Sequence, residues 1–289
     1  MEQHALPVVA LPSLATLVVR GPDRVAWLDR MASNSVKLPP GRGCYCTFLD
    51  PRGRIVTDAD VRVYDDRIEI DTDVSRREAL ADYLDKYIIM EDVQLERVDR
   101  VHVGLLGPAP RADEKEGVFD VESPVTTVRT WFGYELILAP ELRGELEPTA
   151  DYAEFEKLRV ERGVPRFGVD FVEDTNPLEV GLYRALDFKK GCYTGQEVIA
   201  KTTFRGHVKR RLVRLGVEGA PPAPGTEVVS HDTFKGAITS SAQGNGEAIA
   251  LGWVHWLSCP AGTKVKLADG REATVLGWPY ESSANPVNC

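Results

Sequence analysis

The chain has no run of apolar residues approaching the roughly eighteen that a membrane-crossing helix needs, so no such helix is expected. Cysteine is sparse. Cys44, Cys46, Cys192, Cys259 and Cys289 make an odd number with no framework spacing, which fits a reducing cytosol rather than a disulfide scaffold. Cys44 and Cys46 form C-x-C, not C-x-x-C, and no metal is expected there. The opening MEQHALPVVALPS lacks a basic n-region and is interrupted by Pro7 and Pro12, so it does not read as a signal peptide and a cytoplasmic setting is expected. Positive charge is also short: 35 Lys and Arg against 44 Asp and Glu give a net charge of −9. That balance argues against non-specific nucleic-acid binding. There is no internal repeat and no low-complexity tract.

What is present suffices for a real core: 289 residues, 43% hydrophobic, enough for one large domain or two. Ala15 to Gly21 reads as a strand, and Pro22 can open a helix because its missing N–H costs nothing there. Val25, Leu28 and Met31 recur at helical spacing, with Ser33 and Asn34 closing the helix. CYCTFLD, the turn DPRG and RIVTDADVRVY form a hairpin, with Ile55, Thr57, Ala59, Val61 and Val63 on one face and Asp58, Asp60 and Arg62 on the other. Ser75 and Glu78 have the S-x-x-E spacing of a capping box before Leu80, Tyr83, Leu84 and Tyr87. A charged loop or short helix is expected from Arg111 to Gly117, a hairpin turning near Phe132-Gly133, and a helix from Asp151 stopped by Gly163-Val164-Pro165. Strands and helices in no strict βαβ order indicate α+β with antiparallel pairing. After Arg211 short strands alternate with Gly, Pro and polar turns, as in a small barrel or sandwich. The expected domains are 1–205 and 206–289.

The densest chemistry lies between Asp187 and Arg211, DFKKGCYTGQEVIAKTTFRGHVKRR. Thr194 and Glu197 have capping-box spacing, Val198 to Ala200 read as the buried side of a short helix, and Gly206 can end it. Cys192 then stands about two residues before a helix start, flanked by Lys189 and Lys190, and both features favour a thiolate. A lone cysteine at such a junction is most often a small buried apolar residue, and position alone does not settle which it is. From Lys189 to Arg214 eight lysines and arginines stand against Glu197 alone, a basic island in an acidic chain that suggests an anionic partner, with a solvated face as the plainer reading.

KGCYTGQE followed by FRG resembles the signature of the YgfZ folate-binding proteins, relatives of the glycine cleavage T-protein, an aminomethyltransferase. The resemblance covers nearly the whole chain. It implies an α+β domain with antiparallel sheets and a folate-sized cavity, followed by a small C-terminal β-barrel. Cys192 marks the YgfZ branch, since T-proteins usually carry another residue there. The T-protein acid pair falls on Thr57 and Asp58, so one acid is absent, and Trp131 stands where the T-protein has a glutamate for the pterin ring. Aminomethyl transfer is therefore disfavoured.

The resemblance implies tetrahydrofolate as cofactor, with Asn34, Asp58, Trp131, Arg159, Lys189, Gln196 and Arg205 on the folate side and Cys192 and Lys190 as the reactive pair. It implies a role in iron–sulfur cluster assembly or repair, with client or assembly proteins as partners and neither nucleic acid nor membrane. The alternative is a folate-dependent one-carbon transferase in which Cys192 is structural. From residue types alone, Asp58 reads better as a solvated strand residue and Trp131 as hairpin or core packing, while Arg159 is equally an ordinary surface or carboxylate-paired arginine.

Overall fold

The computed structural model describes residues 6–108, 116–122, 124–231 and 234–280, with the side chain of Arg205 outside the description. Most of the charged stretch from Arg111 to Gly117, and Cys289, lie outside it too. The chain divides into two compact units, each assembled from separate segments. The first comprises Met1–Asp50, Val56–Phe155 and Ala185–Thr194; the second comprises Pro51–Ile55, Glu156–Arg184 and Gly195–Cys289.

The strands of the first unit are β1 (Val8–Ala10), β2 (Leu14–Arg20), β3 (Arg42–Leu49), β4 (Ile55–Val63) and β5 (Ile68–Asp73), then β6 (Gln94–Val98), β7 (Val101–Leu106), β8 (Phe119–Glu122), β9 (Val125–Thr130) and β10 (Gly133–Leu138). They form two five-stranded sheets, ordered β3-β4-β5-β2-β6 and β1-β7-β10-β9-β8. Their registered pairs are antiparallel, as the hairpin turns of the sequence require. The helices α1 (Arg24–Met31) and α2 (Arg77–Asp85) bury Trp27, Leu28, Met31, Leu80, Ala81 and Leu84 in one cluster with Leu17, Phe48, Val61 and Ile70. This is the 3.6-residue apolar stripe meeting the period-2 face of a sheet.

Three local expectations are corrected. Neither S/T-x-x-E sequence forms a capping box. Ser75 Oγ donates to Asp73 Oδ1, and α2 begins behind Arg76 with no side-chain cap. The helix after Thr194 is α5 (Gln196–Arg205), its N-cap is Gly195 in the left-handed conformation, and Glu197 pairs with Lys201 at 2.7 Å. Pro22 likewise stands outside α1, whose N-cap is Asp23. The hairpin near Phe132 and the helix α3 (Tyr152–Arg162), ended by Gly163 at φ +72, follow their sequence signals.

In the second unit, α4 (Pro177–Val180) is capped by Asn176, whose side chain accepts from the Leu178 N–H. The closed barrel runs β11 (Arg210–Val217), β14 (Ala248–His255), β13 (Phe234–Gln243), β12 (Glu227–Ser230), β15 (Lys264–Leu267) and β16 (Glu272–Gly277). Its interior holds Val213, Leu215, Val228, Ile238, Val254 and Val275, the inward half of each alternating strand. The basic island does not survive as one face. Lys190 and Arg211 are buried, Arg211 donating to Leu178 O and Tyr183 Oη, while Arg210 pairs with Glu179 and Lys201 with Glu197.

Candidate functional site

The segment carrying Cys192 is stitched into the first unit at both ends. Asp187 N donates to Ser33 O at 3.0 Å, and Asp187 Oδ1 accepts the N–H groups of Lys189 and Lys190 at 2.8 and 3.1 Å. That Asx-type turn aims the Lys190 side chain inward. Its ammonium, 3% exposed, donates to the carbonyls of Asp29, Ala32 and Asn34 at 2.6–2.8 Å and lies 3.2 Å from Asp29 Oδ1. The last carbonyls of α1 have no intrahelical partner, and a cation is the best group to satisfy them. Burial alone would raise the Asp29 carboxyl, but the Val36 N–H, Lys190 and Lys37 together hold it below the usual range. On the other side of the thiol, Tyr193 is buried and Thr194 N donates to Arg30 O at 3.3 Å.

Between these anchors Cys192 is exposed. It lines a pocket of about 460 Å³ with Trp27, Arg30, Met31, Tyr87, Glu91, Tyr193 and Thr194. Glu91 organises the rim: one carboxylate oxygen takes Arg30 at 2.6 Å, and the other accepts the N–H groups of Ile89 and Met90. Those two side chains, 82% and 93% exposed, stand out from a loop whose backbone is thereby fixed. The other described cysteines are unlike Cys192. Burial, with Asp60 adding, pushes the Cys44 thiol up to about 12; burial likewise raises Cys46 well above the usual thiol value, and Cys259 is buried in the barrel.

Lys190 also leads to the expected folate residues. It binds Asn34 O, Asn34 Nδ2 donates to Tyr45 O at 3.0 Å, and Tyr45 Oη donates to Asp58 Oδ2 at 2.7 Å. Asn34, Asp58 and Lys190 are therefore joined in one chain of contacts through Tyr45. Thr57, at the position of the absent acid, is buried and hydrogen-bonded to Thr72 at 2.8 Å, where a hydroxyl supplies no base. Trp131 belongs to the same unit but packs in an aromatic cluster, edge-on to Phe132 at 5.1 Å and tilted on Phe155 at 5.4 Å. Lys189 is exposed.

Arg159, Gln196 and Arg205 belong to the second unit. The buried Arg159 guanidinium binds Asp170 at 2.6 Å, Glu156 at 3.0 Å, Val164 O and Ser240 Oγ, a carboxylate-paired arginine. Gln196 is the first residue of α5, half-buried, and Arg205 is its last.

Tyr45 and Asp29 were not singled out by the sequence. Tyr45 sits between two cysteines on a strand that reads as simple alternation, and Asp29 meets Lys190 across 161 positions. No local spacing announces either.

Comparison with known proteins adds a lineage. Residues 4–114 match the model of the GCVT N-terminal domain. The mouse mitochondrial iron–sulfur cluster assembly factor IBA57 is 30% identical over 74% of this chain and 67% of its own length. The tRNA-modifying protein YgfZ of Vibrio vulnificus is 25% identical over 78% of this chain and 76% of its own. Among solved structures, the glycine cleavage system aminomethyltransferase T of Bartonella henselae superposes with a TM-score of 0.82, covering 96% of this chain and 86% of that one at 20% identity, a likeness of fold.

Proposed function

The chain belongs to the family that joins the aminomethyltransferases, YgfZ and IBA57, and on that footing we propose that it is a tetrahydrofolate-binding accessory protein supporting iron–sulfur cluster assembly or repair. The observation that carries this reading is the setting of Cys192. Of the described cysteines it is the exposed one, on the wall of a pocket and between two anchors. A single cysteine cannot hold a cluster, which needs four ligands. Cys192 therefore supplies one ligand to iron or a cluster in transit, the client supplying the others, or exchanges into a disulfide already present on a client, bonding one client sulfur while the other leaves as a thiol. Lys190 positions the segment, because all its donors are spent on α1 and Asn34.

Folate fits the other end of the contact chain. The Asp58 carboxylate is half-buried and oriented by a phenol, the kind of acceptor that the N–H edge of a pterin demands. Asn34 fixes the backbone of Tyr45 behind it. Bound folate would supply a one-carbon carrier or a structural ligand; the protein's part is to orient it through Asp58, Asn34 and Tyr45, with exposed Lys189 available to its glutamate tail. The acid missing at Thr57 weighs against transferase chemistry. Arg159, committed to Asp170 within the second unit, and Gln196 and Arg205 carry no part of this reading.

Calorimetric titration with tetrahydrofolate and its triglutamate, on wild type and Asp58→Ala, tests the folate half. Micromolar binding that tightens with the tail and disappears in the variant is expected, and absence of heat in the wild type removes folate from the reading. Cys192→Ala tests the other half: folate binding should persist while support of cluster-dependent enzymes is lost. Retention of that support with a folate-dependent turnover would favour the one-carbon transferase.

A further inference from the structure

The two sheets of the first unit meet at a buried cluster of charge that the proposed function does not use. His102 on β7 is 4% exposed, its Nδ1 lies 2.7 Å from Glu135 Oε1 on β10, and its Nε2 lies 3.1 Å from Thr16 Oγ1 on β2. Thr16 donates its hydroxyl hydrogen to Asp71 Oδ1 on β5 at 2.7 Å. A hydroxyl has one hydrogen, so the Thr16 oxygen can only accept from His102, and Nε2 must carry a proton. The contact at Nδ1 needs a proton too, because a carboxylate and an imidazole lone pair at 2.7 Å would repel. Imidazole is more basic than a carboxyl group by about two units, which leaves that second proton on the ring.

We propose that His102 is a buried imidazolium at neutral pH, its Nδ1–H tying β7 to β10 within one sheet and its Nε2–H tying that pair, through Thr16, to β2 and β5 of the other, which makes the first unit sensitive to alkali.

The surroundings suit a cation. Asp71 lies 3.9 Å from Nδ1 and Glu135 at hydrogen-bond distance. The Arg62 guanidinium on β4 opposes it, yet spends itself on Asp71 Oδ2 and on Glu69, 3.5 Å away. Arg67 and Arg100 face Glu69 from outside at 2.9 and 3.4 Å, and the Tyr64 hydroxyl donates to its other oxygen. Four cations thus face three carboxylates, and removing the imidazolium proton leaves Glu135 without its cation. Burial by itself would lower the His102 pKa, but Asp71 and Glu135 outweigh it and carry it above the usual histidine value.

Asp71, His102 and Glu135 also have the donor set of a metal site. Arg62, however, is aimed at the very oxygen of Asp71 that lies toward His102. A proton can share that oxygen with a guanidinium; a divalent cation would be repelled by it.

A folded pKa raised above the unfolded one contributes stability fully below about pH 6.5, and the contribution fades as pH rises through the folded value. The first measurement is nitrogen-15 NMR of the histidine rings in the intact wild-type chain at about pH 7.5, where free histidine is neutral. Two protonated nitrogens on His102, coupled to slowly exchanging hydrogens, are expected, and a neutral tautomer overturns the proposal. The second is thermal unfolding between about pH 6 and pH 9, on wild type and His102→Gln. Wild type should lose roughly 3 °C per pH unit between about pH 6.5 and the folded pKa, and level off above it, while the variant stays flatter throughout; equal slopes overturn the clamp. Should His102→Gln fail to fold, Glu135→Gln must lower the ring's pKa in the same NMR titration. Stoichiometric zinc in the purified protein, with a melting temperature lowered by chelator, would replace the proton by a metal and also overturn it.

Discussion

Lys190 shows how much one ammonium can organise. It lies 156 to 161 residues from the carbonyls it binds, and it holds the cysteine segment against the end of α1. Replacing it with Met leaves those buried carbonyls without a donor and Asp29 with Lys37 as its remaining cation, a loss of about 3 kcal/mol in urea unfolding. Cys192→Ala, at an exposed position, should change stability by less than about 0.5 kcal/mol. Tyr45→Phe removes one hydroxyl from Asp58. Under the folate reading it should weaken tetrahydrofolate binding by roughly fivefold with the fold intact, by calorimetry and melting temperature respectively. A variant that binds as well as wild type would detach Asp58 from the site.

Elements are governed by turns and close approaches that single residues decide. Gly236 on β13 has no room for a side chain: a Cβ there would stand 1.8 Å from Trp253 O on the neighbouring β14. Gly236→Ala should therefore lower stability by about 3 kcal/mol or more, read from the barrel's amide exchange. Ser75→Ala makes the opposite case. A true N-cap serine costs about 1 kcal/mol on removal, whereas Ser75 donates to Asp73 at the surface and should cost less than about 0.5 kcal/mol. That contrast shows where the sequence was legible. Apolar periodicity placed α1, α2, the β9–β10 hairpin, α3 and the barrel strands, because burial of a face decides those elements. The capping boxes misled because competing partners, Asp73 for Ser75 and Lys201 for Glu197, lie closer to hand. At the site, KGCYTGQE drew the eye to Cys192 through its local pattern. Tyr45, Asp29 and His102 draw their meaning from partners on other elements, which no local spacing encodes. Arg62 reads as part of a polar strand face and is in fact buried against Asp71 and Glu69.

For the molecule as a whole, the acid side of the stability profile mirrors the alkaline one. Burial would raise the carboxyls of Asp71 and Glu69, but Arg62 leads the groups that hold both below their usual values. Carboxyls depressed in this way stabilise the fold above about pH 4, and their contribution is lost as pH falls through the folded values. With His102 limiting the other side, the first unit should be most stable between about pH 4 and pH 6.5, measured as amide exchange of β2, β5, β7 and β10. The two units also differ in how they meet their neighbours in solution. A closed barrel offers no unpaired strand, whereas the sheets of the first unit end at β3 and β6, and at β1 and β8. Each of these borders is blunted in its own way. β1 is three residues long, β6 carries exposed Gln94, Glu96 and Arg97, β8 carries exposed Asp120 and Glu122, and β3 is bridged at Arg42 by Val118 and at Phe48 by Ala32. Three of those guards are local in sequence, but the bridge to Ala32 holds only while the end of α1 is in place. Loosening that helix end would uncover Phe48 and its strand as a template for another chain, so protein lost to aggregation on storage should begin its association there, and a charged residue on the outer side of β3 should slow it.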